Sequence, residues 1–516
     1  MTTTAPSTPP LSDAERIRQL EEQLRERDQK LRWAELKIQV LEERLRLQLI
    51  AKYGPASEQL SDAQLKLLEL EPGVSPMEVQ AESEREPLPK TSNNQQNRRH
   101  PGRQQLPADL PRVEKVIPCT PEQCTCKACG SQTVVIGYEQ SEQLDVEPAR
   151  YFVLVTKREK RACRGCEAGG ITAAPLPTRI IDKGLVSDRV VIDTVVAKYS
   201  DHLPLYRQSA ILERETGLEI SRATLDGWVM RVGELLIPIT AAMRQELLVD
   251  SYIQADETPV DVQMHDGRGK NHQAWLWQYG RPGGTVVFDF RLGRGREGPK
   301  QFLGQFEGIL QSDGYAAYDN VGGPKIVHAG CWAHSRRKFF EALKLHPEDR
   351  VAMQVVRRID ELFAIDAQAR EQKLDLAARH ALRLEQARPL LDIIKQQIEA
   401  ACAEALPASA LGKAASYTLA LWPKLTRFLE HPELELSNNL AENSMRPLVI
   451  GRKNWIHVGS QQAGPKVAAI LSIVESCRRL NIPIRDYLSA VLPGLADLPM
   501  QRVKQYTPSA WLAART

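Results

Sequence analysis

Three acidic residues occupy positions from which their carboxylates could act together. Asp256 and Asp313 are each predicted to end a short strand, and Glu442 stands where a helix is predicted to begin. Two strand-end aspartates and one helix glutamate can meet at one edge of a sheet. Carboxylate oxygens suit hard cations such as Mg²⁺ or Mn²⁺, and two such ions hold the attacking and leaving oxygens of a phosphodiester in line. The three residues therefore predict a two-metal site that acts on nucleic acid.

Each carboxylate also has an ordinary interpretation. A lone Asp or Glu is more often a helix cap or a turn residue, and Asp313-Gly314 is a common turn signal. The spacing of the three residues is nevertheless what a ribonuclease H-like sheet with an inserted domain would give. We therefore expect an α/β catalytic domain of the ribonuclease H-like class.

Two C-x-x-C pairs predict a structural zinc site. Cys126 and Cys129 form the first pair, and Cys163 and Cys166 form the second. Each pair places two thiolates on one tight turn, and two turns complete a closed, tetrahedral Cys₄ site. Two predicted strands fill the gap between the pairs, as in a zinc ribbon. The alternative is four buried thiols, and the nearby Cys119 or Cys124 could replace one ligand. Basic residues crowd the second pair, among them Lys160 and Arg161, and could contact a phosphate backbone.

A helix–turn–helix pattern follows the ribbon. The first helix is predicted over Leu205–Glu215, a turn follows Gly217, and Ser221 caps a second helix over Arg222–Val232. In this motif the first residues of the second helix reach base edges, which makes Ser221, Arg222 and Thr224 candidate DNA readers. Helical hairpins without a DNA role are also common.

The first fifty residues contain a heptad repeat. Its complete seam holds only Leu and Ile, at positions 17, 24, 31, 38 and 45, whereas the facing seam is interrupted by Arg27 and Gln48. This pattern indicates a short coiled coil that pairs two chains. The alternative is a single amphipathic helix packed on its own protein.

A polar segment over 71–105 is predicted to be disordered, because it has almost no residues that build a core. It ends in a basic stretch that contains Arg98, Arg99 and Arg103. Such an arm can follow phosphates or enter a minor groove. An ordinary solubilising linker explains the composition equally well.

These features predict a multidomain α/β protein with a defined order. The expected segments are a coiled coil (11–52), a linker with a basic arm (53–118), a zinc ribbon (119–175), a helical DNA-binding domain (176–247), a first catalytic part (248–345), a helical insertion (346–436) and a second catalytic part with C-terminal helices (437–516).

Composition sets outer limits on function. The 516 residues are 42% hydrophobic and 26% charged, as in soluble globular proteins, and exclude collagen-like and wholly disordered classes. The net charge of +3 is too small to indicate nucleic acid, so that inference depends on local clusters. Nine cysteines, an odd number, argue against a disulfide framework and favour a reducing cytoplasm. No apolar run approaches the ~20 residues of a membrane helix.

Several longer strings resemble the transposases of the insertion sequence 66 family. They are 197–208, 255–260, 312–315, 331–339, 438–442 and 451–455, and the order of segments matches as well. The resemblance implies a bacterial transposase with a DDE-type catalytic triad. It implies that Asp256, Asp313 and Glu442 bind the catalytic metal ions in a ribonuclease H-like fold, and that an all-helical insertion separates Asp313 from Glu442.

Other residues near the triad have less certain roles. Cys331 and His334 form a C-x-x-H pair that resembles one in other transposases with helical insertions; a packing and hydrogen-bonding role is favoured over half of a metal site. Basic residues on both sides of the triad either line the DNA path or form a solvated face: Arg336, Arg337, Lys338, Arg446, Arg452 and Lys453.

The expected function is therefore binding of transposon terminal repeats, cleavage at the element ends, and transfer of the freed 3′-hydroxyls to target DNA. The partners are double-stranded DNA and a second copy of the chain, and the sequence leaves open whether accessory proteins of the element are needed. Two rivals remain: a metal-dependent nuclease of the same fold, and a non-catalytic DNA-binding repressor.

Overall fold

The structure is a computed structural model that describes residues 13–53, 60–71, 74, 76–83, 150–162, 171–264, 267 and 269–515, with isolated positions 116, 124, 131, 135 and 138. The chain divides into a larger unit, 1–89 with 157–516, and a smaller unit, 90–156. In the smaller unit, the described residues 150–156 form no strand, although their composition predicts one. None of the described helices has the length and apolar character that crossing a bilayer requires.

The N-terminal part of the larger unit is helical. It contains α1 (Asp13–Tyr53), α2 (Asp62–Glu69) and α3 (Pro76–Ser83). Ser61 begins α2 with a capping box that includes Gln64. The helix α3 corrects the expected disorder of 71–105 over its own residues. It is held by an ion pair of 2.6 Å between Glu78 and Arg478, a long-range contact that local composition cannot reveal.

A short hairpin precedes the predicted helix–turn–helix. Strand β1 (Lys160–Ala162) pairs antiparallel with β2 (Ile171–Ala173). The following helices are α4 (Asp188–Tyr199), α5 (Leu205–Thr216) and α6 (Arg222–Val249). Gly217 ends α5 in the left-handed conformation (φ 72°), which glycine adopts without a steric cost. Helix α6 continues well beyond the predicted Val232, because its second half packs in the main hydrophobic core through buried residues such as Ile239 and Met243.

A mixed six-stranded sheet follows α6. Its strands are β3 (Tyr252–Val262), β4 (His272–Gly280), β5 (Val286–Arg291), β6 (Ile309–Gln311), β7 (Val327–Ala329) and β8 (His457–Val458). The order is β5-β4-β3-β6-β7, and β8 pairs with the end of β3. β4 pairs antiparallel with both β3 and β5, whereas β6, β7 and β8 run parallel to β3.

Helices surround this sheet and form the insertion. They are α7 (Glu297–Leu303), α8 (Trp332–Leu345), α9 (Arg350–Glu371), α10 (Leu376–Leu382), α11 (Arg388–Glu404), α12 (Ala410–Ala420), α13 (Trp422–Leu425), α14 (Asn439–Trp455), α15 (Ala463–Arg479), α16 (Ile484–Val491) and α17 (Pro508–Ala513). A five-residue π-helical turn, Arg383–Ala387, joins α10 to α11.

Two hydrophobic cores hold the larger unit together. The first joins helices α4 to α6, most of the sheet and the C-terminal helices. The second joins α8 to α9, α11 and α12, and it reaches the sheet through Tyr252, Ile309 and Ala329. Helix α8, which precedes residue 346, packs with the helices of the predicted insertion, because it buries Phe339 and Leu343 in this second core.

Candidate active site

The strand β3 carries Asp256 near its middle, not at a strand end as predicted. β3 continues to Val262 because it forms a long hairpin with β4, in which Asp256 lies opposite Gln278. On its other side, β3 pairs with β6 only as far as Gln254. Asp256 therefore lies just beyond the point where the parallel neighbour stops. Its Oδ1 accepts a hydrogen bond of 2.9 Å from the backbone N–H of Glu257.

Asp313 follows the end of β6 by two residues, as the sequence predicts. Its Oδ1 accepts a hydrogen bond of 2.8 Å from the backbone N–H of Tyr315. Its carbonyl oxygen accepts a hydrogen bond from the hydroxyl of Tyr417 on α12. The turn after β6 is thus held both locally and by the helical insertion.

Glu442 lies in the first turn of α14. The buried Asn438, at the start of this helix, donates from Nδ2 to the carbonyl oxygen of Ala255 at 3.4 Å. Arg337 and His334, both on α8, approach the Glu442 carboxylate at 3.1 Å and 3.5 Å. Helix α8 therefore holds Glu442 from one side, while Asn438 ties the start of the helix of Glu442 to the strand of Asp256.

The three carboxylates influence one another electrostatically. Burial raises the pKa of Asp256 well above its ordinary value, and the negative charges of Glu442, Glu257 and Asp313 raise it further. His334 opposes this shift. Mutual repulsion of this kind is what a bound cation would relieve, and three carboxylates are chemically suited to Mg²⁺. Within the described residues, however, no group of three or more His, Cys, Asp or Glu side chains is arranged to hold a metal ion. The oxygen donors of the three carboxylates suit a divalent ion. The three side chains do not, however, surround a common position for such an ion.

The C-x-x-H pair lies at this site. Cys331 is buried directly before α8, and His334 contacts both Cys331 and Glu442. Burial by itself would lower the pKa of His334, but the interactions with Cys331 and Glu442 outweigh it and raise this pKa to about 10. A cationic His334 beside Glu442 extends the expected packing role to an electrostatic one.

Sequence reasoning missed a second cluster beside the triad. The Glu257 side chain is only 2% exposed and pairs with Arg294 at 2.7 Å, and the Tyr318 hydroxyl donates to it at 2.7 Å. Burial raises the pKa of Glu257, although the hydrogen bonds from Tyr318 and Arg294 act to lower it. The Arg294 guanidinium lies 4.7 Å from the ring centre of Trp275 and 4.1 Å from that of Tyr315. The Gly-Arg repeat at 293–296 was the available signal for a basic loop near phosphates.

The comparisons with known proteins identify the family. The family model described as "Transposase IS66 family" matches residues 183–466, which is more than half of the chain and includes all three carboxylates. The chain belongs to the IS66 transposase family. A further model, "zinc-finger binding domain of transposase IS66", matches residues 123–167 and so covers all four cysteines of the predicted zinc site. A third, "Transposase C of IS166 homeodomain", matches residues 40–114.

Similar proteins occur in Sinorhizobium fredii (strain NBRC 101917 / NGR234). The uncharacterized protein y4qI is 33% identical over 86% of this chain and 84% of its own length. The uncharacterized protein y4hP is 31% identical over 93% of this chain and 89% of its own length. The IS66 chain is therefore similar to these relatives along nearly its whole length, and the family domains indicate a DNA-binding transposase with a structural zinc finger.

The basic residues of this IS66 transposase are not equivalent. Arg336 was expected to contact DNA, but it is fully buried and pairs with Asp360 at 2.7 Å. We therefore remove it from the candidate contacts, because a buried and paired guanidinium cannot reach a phosphate. Arg337 contacts Glu442, whereas Lys338, on the same helix, is exposed and 3.6 Å from Glu341.

The basic residues after Glu442 also differ. Arg452 is half-buried and donates to the Pro259 carbonyl oxygen on β3, so it connects α14 to the sheet. Arg446 is half-buried near Glu78 and Arg478, and its burial lowers its pKa. Lys453 is exposed. Only Lys453 of these three keeps the surface position that a phosphate contact requires.

The helix–turn–helix candidate has the expected local geometry. Ser221 begins α6, and its hydroxyl accepts a hydrogen bond of 3.2 Å from the Thr224 backbone N–H. Ser221, Arg222 and Thr224 are exposed, and Leu225 and Trp228 anchor the helix in the core. The first turn of α6 can therefore meet DNA without unfolding.

The remaining predicted sites are only partly visible. Lys160 and Arg161 are exposed on β1, and Arg161 pairs with Glu159 at 2.8 Å. Several predicted residues lie outside the described residues: Cys126, Cys129, Cys163, Cys166, Arg98, Arg99 and Arg103.

Proposed function

We propose that this IS66 transposase is a DDE-type enzyme that cuts at transposon ends and joins the 3′-hydroxyl ends to target DNA. The observation that carries the proposal is geometric: the hydrogen bond from Asn438 to Ala255 ties the helix of Glu442 to β3, beside the strand that leads to Asp313. The strand order supports a ribonuclease H-like domain, because three antiparallel strands are followed by two parallel ones with the acidic residues at the junction.

The chemistry consists of two displacements at phosphorus. Water attacks the phosphodiester at the element end, and the bond to the leaving 3′-oxygen breaks to give a 3′-hydroxyl. That hydroxyl then attacks a target phosphodiester and displaces the target's own 3′-oxygen. No tyrosine or serine nucleophile is required. Two divalent ions held by the carboxylates would supply the positive charge for the attacking and leaving oxygens.

The chain's own residues position these groups. Asp256 and Asp313 come from neighbouring strands, and Glu442 comes from the helix that Asn438 ties to β3. Arg337 and His334 orient Glu442. Arg294 lies beside Glu257 and Tyr315 at the same edge. Because its guanidinium is 42% exposed, Arg294 is placed to meet a phosphate of the approaching strand.

Binding and assembly use the other segments. We assign end recognition to Ser221, Arg222 and Thr224, supported by the basic hairpin with Lys160 and Arg161 and by a zinc site of four cysteines. Self-association uses the seam of α1. Bacterial DNA, which is the proposed substrate, lies in the cytoplasm, and we therefore place the protein there.

A cleavage and joining assay tests the proposal. Full-length protein is given DNA that carries the element ends and a target plasmid, with Mg²⁺ or Mn²⁺. We expect both cleaved and joined products from the wild-type chain. Asp256→Asn, Asp313→Asn and Glu442→Gln should each reduce both products by about 10³-fold or more, because several kcal/mol of charge stabilisation is lost.

The outcomes separate the rivals. Cleavage without joining would identify a nuclease, and end binding without either product would identify a repressor. An active Glu442→Gln protein would remove Glu442 from the triad. Electrophoretic mobility shifts with end DNA check that each variant still binds.

A further inference from the structure

Beneath the three carboxylates lies a buried cluster of side chains that their chemistry does not use. Gln254 and Gln311 are 1% and 0% exposed, and Tyr252 is 5% exposed. Gln254 precedes Asp256 by two residues, and Gln311 precedes Asp313 by two residues. In the parallel pairing of β3 with β6, Gln254 and Gln311 are direct partners. Each of the two aspartates is therefore preceded, at the same interval, by one member of a buried glutamine pair.

The glutamine pair connects the two strands to each other. Gln254 Nε2 lies 3.1 Å from Gln311 Oε1. The Tyr252 hydroxyl donates to the same Gln311 oxygen. Because hydrogen bonds are directional, these contacts fix the register of β3 against β6.

The same amides also reach the segment that leads into α14. Gln311 Nε2 donates to the carbonyl oxygen of Glu435 at 2.7 Å, and Gln254 Nε2 donates to that of Ser437 at 3.1 Å. The Tyr252 hydroxyl accepts from the backbone N–H of Glu435 at 3.3 Å. The segment that carries Glu442 is therefore bonded to the two strands that carry the aspartates.

Packing alone would not require these polar groups. A buried amide is costly unless it is hydrogen-bonded, and a hydrophobic side chain of similar volume would fill the same space. What the amides add is a fixed geometry between three segments that are far apart in sequence. Gln311 Nε2 also donates to the carbonyl oxygen of Gly330 at 3.0 Å. Gly330 directly follows β7, so the network reaches that strand as well.

We propose that Gln254 and Gln311 are positioning residues that set the spacing of the three acidic residues and thereby their affinity for divalent metal. The inference depends on the proposed function, since it assumes that the three carboxylates bind metal together. Residues that support metal ligands from behind typically change affinity by about 10- to 100-fold when they are replaced.

The test measures Mn²⁺ binding to the full-length chain from the electron paramagnetic resonance signal of the free ion, so it needs no activity. Wild type is compared with Gln254→Met and Gln311→Met, which keep the volume and remove the hydrogen bonds. We expect both variants to bind Mn²⁺ about 10- to 100-fold more weakly. The Mn²⁺ concentration for half-maximal cleavage should rise by a similar factor, with a smaller loss of rate at saturating Mn²⁺.

A matched control separates positioning from general stability. Ser476 is a buried polar residue of the same domain whose hydroxyl bonds the N–H and C=O of Val286 on the outer strand β5. Ser476→Ala should lower the Tm without a change in Mn²⁺ affinity. If Gln311→Met does not fold, Tyr252→Phe, which removes only one hydroxyl of the network, is measured by the same criterion.

Two failures can be told apart. Wild-type Mn²⁺ affinity in the folded variants of the network would overturn the inference, because the amides would then only hold the sheet together. If wild type and Asp256→Asn bind Mn²⁺ equally, the proposed metal site itself fails. If Asp256→Asn loses the ion and Gln311→Met does not, the site stands and the positioning role is wrong.

Discussion

Asp256, Asp313 and Glu442 reach one site by different means. Asp256 belongs to a continuous strand and is exposed to the site because β6 ends beside it. Asp313 depends on the turn after β6, and Glu442 on the first turn of α14. The common consequence is repulsion among like charges, visible in the raised pKa of Asp256. Such repulsion lowers the free energy of unfolding when no metal is bound.

That cost is testable with Asp256→Asn in metal-free protein. Burial and neighbouring carboxylates raise the folded-state pKa of Asp256 above its unfolded value, so its ionisation destabilises the fold as the pH rises beyond that unfolded value. The asparagine side chain carries no charge, and it keeps an oxygen that can accept the hydrogen bond from the backbone N–H of Glu257. We expect Asp256→Asn to be more stable than wild type at neutral pH, by about 1 kcal/mol or ~2–4 °C in Tm, with the difference shrinking toward acidic pH.

Calorimetry in excess chelator, at neutral pH and near pH 4, checks this expectation. Asp261→Asn is the matched control, because Asp261 is an exposed residue of the same strand, and its replacement should leave the Tm nearly unchanged. An Asp256→Asn protein that melts below wild type at neutral pH would show that the carboxylate is stabilised, and not strained, by its surroundings.

At the scale of elements, each segment has its own source of stability. The helix–turn–helix depends on Leu225 and Trp228 in the main core. The insertion depends on a second core and on buried ion pairs, in which Asp366 contacts both Arg379 and Arg383. Those charges lower the pKa of Asp366 to about 2, even though burial by itself would raise it. The zinc finger is small, and such elements take their stability from the metal.

The zinc prediction belongs to this scale. We expect one Zn²⁺ per chain, bound by Cys126, Cys129, Cys163 and Cys166, and measured by elemental analysis of the purified protein. Cys163→Ser with Cys166→Ser should lose the ion, because two ligands are removed from a four-ligand site. Cys402→Ser, on α11 of the insertion, is the control and should keep it. Unchanged zinc in the double variant would contradict the ligand assignment.

At the scale of the whole molecule, the N-terminal helices connect assembly to the catalytic part. The seam of α1 is uncovered in the single chain, since Ile17, Leu24, Leu31, Ile38 and Leu45 are between 55% and 60% exposed. Glu43, on the opposite side of the heptad, is buried against His346 at 3.0 Å and the backbone N–H of Ala410 at 3.1 Å. The helix thus contacts the insertion with one face and leaves its seam available to a second copy.

The assembly prediction follows from this arrangement. Leu24→Glu with Leu31→Glu should reduce self-association and the pairing of two DNA ends, because charges at seam positions oppose helix pairing. Binding of a single end should survive. Analytical ultracentrifugation with and without end DNA measures both effects.

Arg25→Gln with Gln29→Glu is the matched control, since it makes the same change in charge on exposed positions outside the seam. If the seam variant pairs ends as well as wild type, α1 is not the assembly element and serves only as a helix attached to the insertion.

The sequence by itself determined most of the local elements, and it singled out Asp256, Asp313 and Glu442 as candidate metal ligands. Heptad spacing predicted α1, the Gly217–Ser221 turn predicted α5 and α6, and short strands were predicted to end at Asp256 and Asp313. These signals are local, because periodicity, caps and turns depend on neighbouring residues. The tertiary structure alone decided that Arg336 is buried, that 76–83 is helical, and that Gln254 and Gln311 meet beneath the acidic residues. Those facts depend on partners such as Asp360, Arg478 and Glu435, which are far away in sequence and are brought close only by packing.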